Sequence, residues 1–155
     1  MGKYRNDVAR VTKDADHAIR AAVSASQKAG EYVREAKGLE MQALQLAADV
    51  ADSGDTKSRT IVEEAKMVKT QVENMGKDVG GLGGKVEEVR ALAERAKGVA
   101  EEGNLELAQK MVVNTSTLVD YVVRMEEKIK GMGEEARGKL WELALGGGFR
   151  LGRVA

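Results

Sequence analysis

Between Val8 and Val50 an apolar residue recurs at every step of an alternating 3,4 count: Val8, Val11, Ala15, Ala18, Ala22, Ala25, Ala29, Tyr32, Ala36, Leu39, Ala43, Leu46 and Val50. No member of the series is polar. That period predicts one long helix, about Tyr4 to Asp52, carrying a single apolar seam. Such a helix spans on the order of 70 Å. It is not stable with its seam in water, so the rest of the chain is expected to cover it. The seam is mostly alanine in its N-terminal half and gains leucine toward its C-terminal half. Small seam residues let helices approach closely, so a narrow bundle is expected there.

Ser53-Gly54-Asp55-Thr56 is the first break. Gly54 suits a helix C-terminus, and Asp55 or Thr56 suits the next N-cap. A connection this short sends the second helix back antiparallel to the first. The second seam is Ile61, Ala65, Val68, Val72, Met75, Val79, Leu82, Val86, Val89, Ala93, Ala96 and Ala100, again without a polar member. It crosses Gly80-Gly81-Leu82-Gly83-Gly84 without losing phase. A linker has no reason to keep phase, so the cluster reads as a weakened, kinked stretch of one helix; the alternative is a short loop that splits it. Antiparallel pairing sets these glycines opposite Ser24 to Lys28, a thin waist on both sides.

Glu102-Gly103-Asn104 is the second turn. The third seam is Ala108, Met111, Thr115, Leu118, Val122, Met125, Ile129, Met132, Ala136, Leu140 and Leu143, with Thr115 its one polar member. Three helices of similar length and two tight turns predict an all-α fold, an elongated antiparallel three-helix bundle. Residues 1–145 are expected to form one helical domain. Residues 146–155, opening with Gly146-Gly147-Gly148, are expected to be a flexible Gly-rich tail.

Composition narrows the chemistry. Lys plus Arg and Asp plus Glu are 25 each in 155 residues, so the formal net charge is zero, which argues against nucleic acid as the main ligand. Proline is absent, which favours uninterrupted helices. Cysteine is absent too, which removes disulfides, thiolate metal sites and a cysteine nucleophile. No segment has the apolar length of a membrane span. Met1 to Asp7 contains no apolar h-region, so no signal peptide is expected here. Asn6 stands where N-myristoylation requires Ser or Thr. Acid-before-base pairs at i,i+4 (Asp16–Arg20, Glu73–Lys77, Glu106–Lys110, Glu126–Lys130, Glu135–Lys139) read as solvated helix faces.

Candidate catalytic and binding groups are sparse. His17 is the single histidine, with Asp14 three residues before it on one face, and a metal site needs three or four convergent ligands. It reads as a surface residue. Gly80 to Lys85 echoes a phosphate loop, but Val79 and Val86 stand where that motif needs Gly and Ser or Thr. Adjacent carboxylates such as Glu87-Glu88 diverge by about 100° around a helix and do not form a glycosidase pair. Met111, Met125 and Met132, with Met67 and Met75, read as core packing, while Tyr121 and Trp141 fall off the third seam. Asn114-Thr115-Ser116 is an N-glycosylation sequon, and Asn114 lies off the seam, making it the candidate glycosylation site. An alanine-lined seam with balanced charge is a poor membrane-surface helix. No catalytic residue, no cofactor, no metal and no small-molecule substrate is expected.

A cysteine-free, proline-free, Glu- and Ala-rich chain with helical hairpins of about 70 Å resembles the surface-coat proteins of African trypanosomes. The nearest likeness is to the glutamic-acid/alanine-rich proteins of their insect stages. Asp14 to Val23, Lys37 to Val50 and the long second helix carry the resemblance. It implies an elongated helical bundle held by a C-terminal glycosylphosphatidylinositol lipid anchor on the outer face of the plasma membrane. Its partners there would be neighbouring coat proteins, and the chain a monomer or weak homodimer. An anchor beyond the third helix would set Ser53–Thr56 near the membrane and turn Glu102, Gly103 and Asn104 outward. Two other readings stay open: a helical surface receptor for a host macromolecule, with an apolar patch at Trp141, Tyr121 or Tyr32, and an intracellular coiled-coil adaptor.

Overall fold

The computed structural model describes residues 2–146, and the Gly-rich tail expected over 146–155 lies, beyond Gly146, outside the described residues. The fold is an all-α three-helix bundle, with no strand among the described residues. Helix α1 is Gly2–Val50, α2 is Thr56–Glu101 and α3 is Leu105–Gly146. The three seams are what these helices turn toward one another: every seam residue named above is buried or half-buried, and none is exposed.

The contacts group into two compact units, each built from a part of all three helices. One comprises α1 up to Lys28 together with Gly80–Glu127. Its core is small: Val11 packs with Ala96, Ala100, Ala108 and Met111, and further along Ala18 and Ala22 pack with Val86 and Val89. That α1 residues rising from 11 to 22 meet α2 residues falling from 100 to 86 is the antiparallel register expected of a tight first turn. Burying an alanine methyl stabilises by about 0.8 kcal/mol, against about 1.5–3 kcal/mol for a whole Leu or Ile. Close backbone approach and its dispersion contacts make up part of the difference.

The other unit comprises Ala29–Val79 with α3 from Lys128 onward. Here the core is bulkier: Val68, Met75 and Ile129 are fully buried, as are Ala43 and Ala65. Lys139 Nζ lies 3.0 Å from Glu64 Oε2, and Gln71 Nε2 donates to the Met132 carbonyl at 3.3 Å and to Glu135 at 2.9 Å. These pairs run α2 antiparallel to α3.

The glycine cluster does not split the second helix: α2 is unbroken from Thr56 to Glu101. Nor does it serve a close approach. Gly80, Gly81, Gly83 and Gly84 are exposed, and a Cβ at any of them would meet no atom within 4 Å. Leu82 between them is the buried member. Met67 departs from the core expectation, being 52 % exposed next to the buried Val68. It sits one position off the seam, at the rim of the α2–α3 groove. Val33 is buried beside a half-buried Tyr32. A 3.6-residue helix drifts against a 3.5-residue count by about 20° per heptad, which brings the neighbouring position into the core. Thr115 is fully buried, and its hydroxyl donates to the Met111 carbonyl at 2.7 Å.

Two outcomes check this packing by urea unfolding. Ala22→Leu should destabilise the chain by about 1–3 kcal/mol, because the added side chain has no room between α1 and α2. Thr115→Val should be nearly neutral, since the Met111 carbonyl keeps its helical N–H partner when the hydroxyl is removed.

Candidate functional site

Two groups of residues singled out by the sequence fall in the first unit, at the α2–α3 turn and on the exposed face of α3 at Asn114. The turn is built by local chemistry. Asn104 N–H donates to Val99 C=O and Gly103 N–H to Ala100 C=O, both at 3.1 Å, which is the Schellman pattern of paired bonds that closes a helix C-terminus. Gly103 takes φ +101°, a conformation L side chains rarely adopt. Asn104 then starts α3: its side-chain oxygen accepts from Leu107 N–H at 3.2 Å and its carbonyl from Ala108 N–H at 3.0 Å. One residue thus ends one helix and caps the next.

The start of α1 joins this turn. Tyr4 Oη donates to the Ala100 carbonyl at 3.1 Å, and a Cβ on Gly103 would lie 3.6 Å from that same hydroxyl. The sequence does not single out Tyr4, although it lies four residues before Val8 and in step with the first seam; the partner it meets is set by the tertiary fold. Glu102, Gly103 and Asn104 themselves are exposed. They form a small, polar surface over the paired backbone bonds of the turn and the Tyr4 hydroxyl bond to Ala100.

Asn114 is exposed on α3, one position from the buried Thr115. His17 is exposed as well and lies with Asp14, Ser116 and Asp120 along a shallow α1–α3 groove of about 300 Å³ floored by Ala18 and Ala21. Among the described residues no group of three or more His, Cys, Asp or Glu side chains is placed to hold a metal ion. In the second unit, Tyr32, Leu39, Lys130 and Arg137 line a smaller groove of about 140 Å³ between α1 and α3. Tyr121 is 45 % exposed with Lys85 Nζ 5.4 Å from its ring centroid, and Trp141 is 48 % exposed. The two aromatics belong to different units, and Trp141 has the exposed Leu145 one helical turn on.

Charges meet across helices more than the i,i+4 reading expects. Glu106–Lys110 forms at 3.7 Å, but Asp16 pairs with Lys97 on α2 at 2.8 Å, and Glu135 and Lys139 engage Gln71 and Glu64. Asp16 and Lys139 are half-buried positions flanking a seam, so a neighbouring helix lies within their reach. The hydrogen bond to Asp16 raises the Lys97 pKa above its ordinary range, and that to Glu64 does the same for Lys139. At the first turn Ser58 N–H donates to Asp55 Oδ1 at 2.7 Å, which makes Asp55 the N-cap of α2 and holds its carboxyl below the ordinary value of 3.8.

The turns can be tested by thermal and urea unfolding. Gly103→Ala should cost roughly 1–2 kcal/mol from left-handed strain, and Tyr4→Phe about 0.5–1.5 kcal/mol from the lost hydrogen bond. A depressed carboxyl pKa contributes stability above its unfolded value that is lost as pH falls through the folded one. Asp55→Asn, which still caps, should therefore flatten the fall in melting temperature below about pH 4.

No protein-family model, curated protein or solved structure matches the chain.

Proposed function

We propose that this chain is a non-enzymatic structural protein of a cell-surface coat, the role implied by its resemblance to the glutamic-acid/alanine-rich coat proteins of African trypanosomes. The observation that supports the reading best is how the side chains are spent. Three long apolar seams are consumed in covering one another. The buried polar residues among those described are Ser58 and Thr115, with no ionisable group in the core. Charge is spread in both signs over the outward faces, as suits a molecule standing in water beside copies of itself. In this reading the protein works by occupying space, and its chemistry toward the surroundings is that of its ends and faces.

The end of α3 lies beside the first turn: Lys57 and Thr60 share a groove with Glu142 and Leu143. A lipid anchor following α3 would bring Ser53–Thr56 close to the membrane and leave Glu102–Asn104, held by Tyr4, as the outward surface. Asn114, exposed on α3, would be its glycan site. The reading does not require a ligand.

Antibodies raised separately against residues 51–58 and 98–107 test it on intact cells. Labelling of unpermeabilised cells by the second antibody, with the first reaching its epitope only after the membrane is opened or the protein released, is the expected result. Labelling by both antibodies only after permeabilisation would overturn the surface role. Strong labelling of intact cells by the first alone would reverse the orientation.

A further inference from the structure

Four glycines occupy five consecutive positions of α2, yet the helix is unbroken there. No turn explains them, because among the described residues the glycines with positive φ are Gly54 and Gly103. No tight approach explains them either, since each is exposed with open space where a Cβ would stand. What glycine does change at an exposed helical position is backbone entropy. Each one weakens the local helix relative to alanine, and four together shift the local order–disorder balance on the order of 10²-fold toward opening.

The surroundings add little to offset this. Leu82 is the single side chain in the segment, and it is buried. The antiparallel register sets the segment against Ser24 to Lys28 of α1, where the buried residue is Ala25. The nearest polar anchorage within the same unit begins at Lys85, which pairs with Glu88 at 3.3 Å and lies over the Tyr121 ring. Beyond it Val86 and Val89 return to the core.

We propose that Gly80–Gly84 is a labile segment built into α2, which opens locally while the helix on both sides stays formed. Leu82 acts as its latch. The segment keeps heptad phase because it must re-form in register each time it closes. This gives α2 a point of local give without a loop. The inference rests on backbone energetics and stands whether or not the coat reading holds.

Hydrogen–deuterium exchange on the full chain tests it. Amides 81–88 donate to the carbonyls of the segment and the turn before it. Corrected for intrinsic rates, they should exchange on the order of 10²-fold faster than amides 65–75 and 93–100. Replacing all four glycines (G80A, G81A, G83A and G84A together) should bring them to the rate of the flanks. In a second variant, Leu82→Ala should speed exchange at 81–88 further and leave the flanks as they were. Equal protection along the whole of α2 in the wild-type chain would overturn the proposal. So would fast exchange that the four alanines leave unchanged, since lability would then come from packing and not from glycine.

Discussion

Mutual burial of three apolar seams is the constraint on which the rest of this structure depends. Helices of 49, 46 and 42 residues carry apolar stripes that none can hide by itself. Tertiary packing of an amphipathic face, more than intrinsic propensity, supplies most of the stability of such helices. The constraint also explains the alanines. Ala15, Ala22, Ala93, Ala96 and Ala100 are fully buried, and each contributes little area. Their value is in letting three backbones come close enough for dispersion to act over many turns.

Apolar burial is non-directional, and a seam slid by one heptad still covers its partner. Register therefore has to come from elsewhere, most of all where the seam is alanine. The turns supply part of it. Asp55 ends the first connection as an N-cap, and Asn104 both closes α2 and opens α3. Cross-helix polar contacts supply the rest, with Lys97 on Asp16 and Tyr4 on the Ala100 carbonyl in one unit, and Lys139 on Glu64 and Gln71 on Met132 in the other. Each is weak alone at a partly exposed position. Their contribution is geometric: each forms at one register only.

The same division of labour bears on function. With the three seams turned inward and the charges dispersed outward, the chain's specificity toward anything else must lie in exposed ends, in apolar side chains left outside the seams such as Met41, Val113, Trp141 and Leu145, or in attached groups. The coat reading draws on that arrangement and on the resemblance to trypanosome surface proteins. The glycine segment shows that uniform seams do not mean uniform stability. Leu82 keeps the core continuous while its neighbours lower the local cost of opening.

Much of the fold was legible in the residues themselves. The number of helices, their turns, the phase of each seam, an N-cap at Asp55 or Thr56 and the outward position of Asn114 all follow from short-range periodicity and turn chemistry, which act within a few residues; the structure selects Asp55 as the cap. What crosses the chain was not legible. Nothing near Asp16 announces Lys97, nothing near Tyr4 announces Ala100, and the rim position of Met67 depends on how α3 lies against α2. The unbroken phase across Gly80–Gly84 favours one weakened helix over a short loop, and α2 is indeed unbroken there, with Leu82 buried. The sequence by itself determined which face of every helix turns inward, because that is a matter of period. Only the tertiary structure decided which residues meet there, because lateral contacts join positions some 60 to 100 residues apart and no local pattern encodes them.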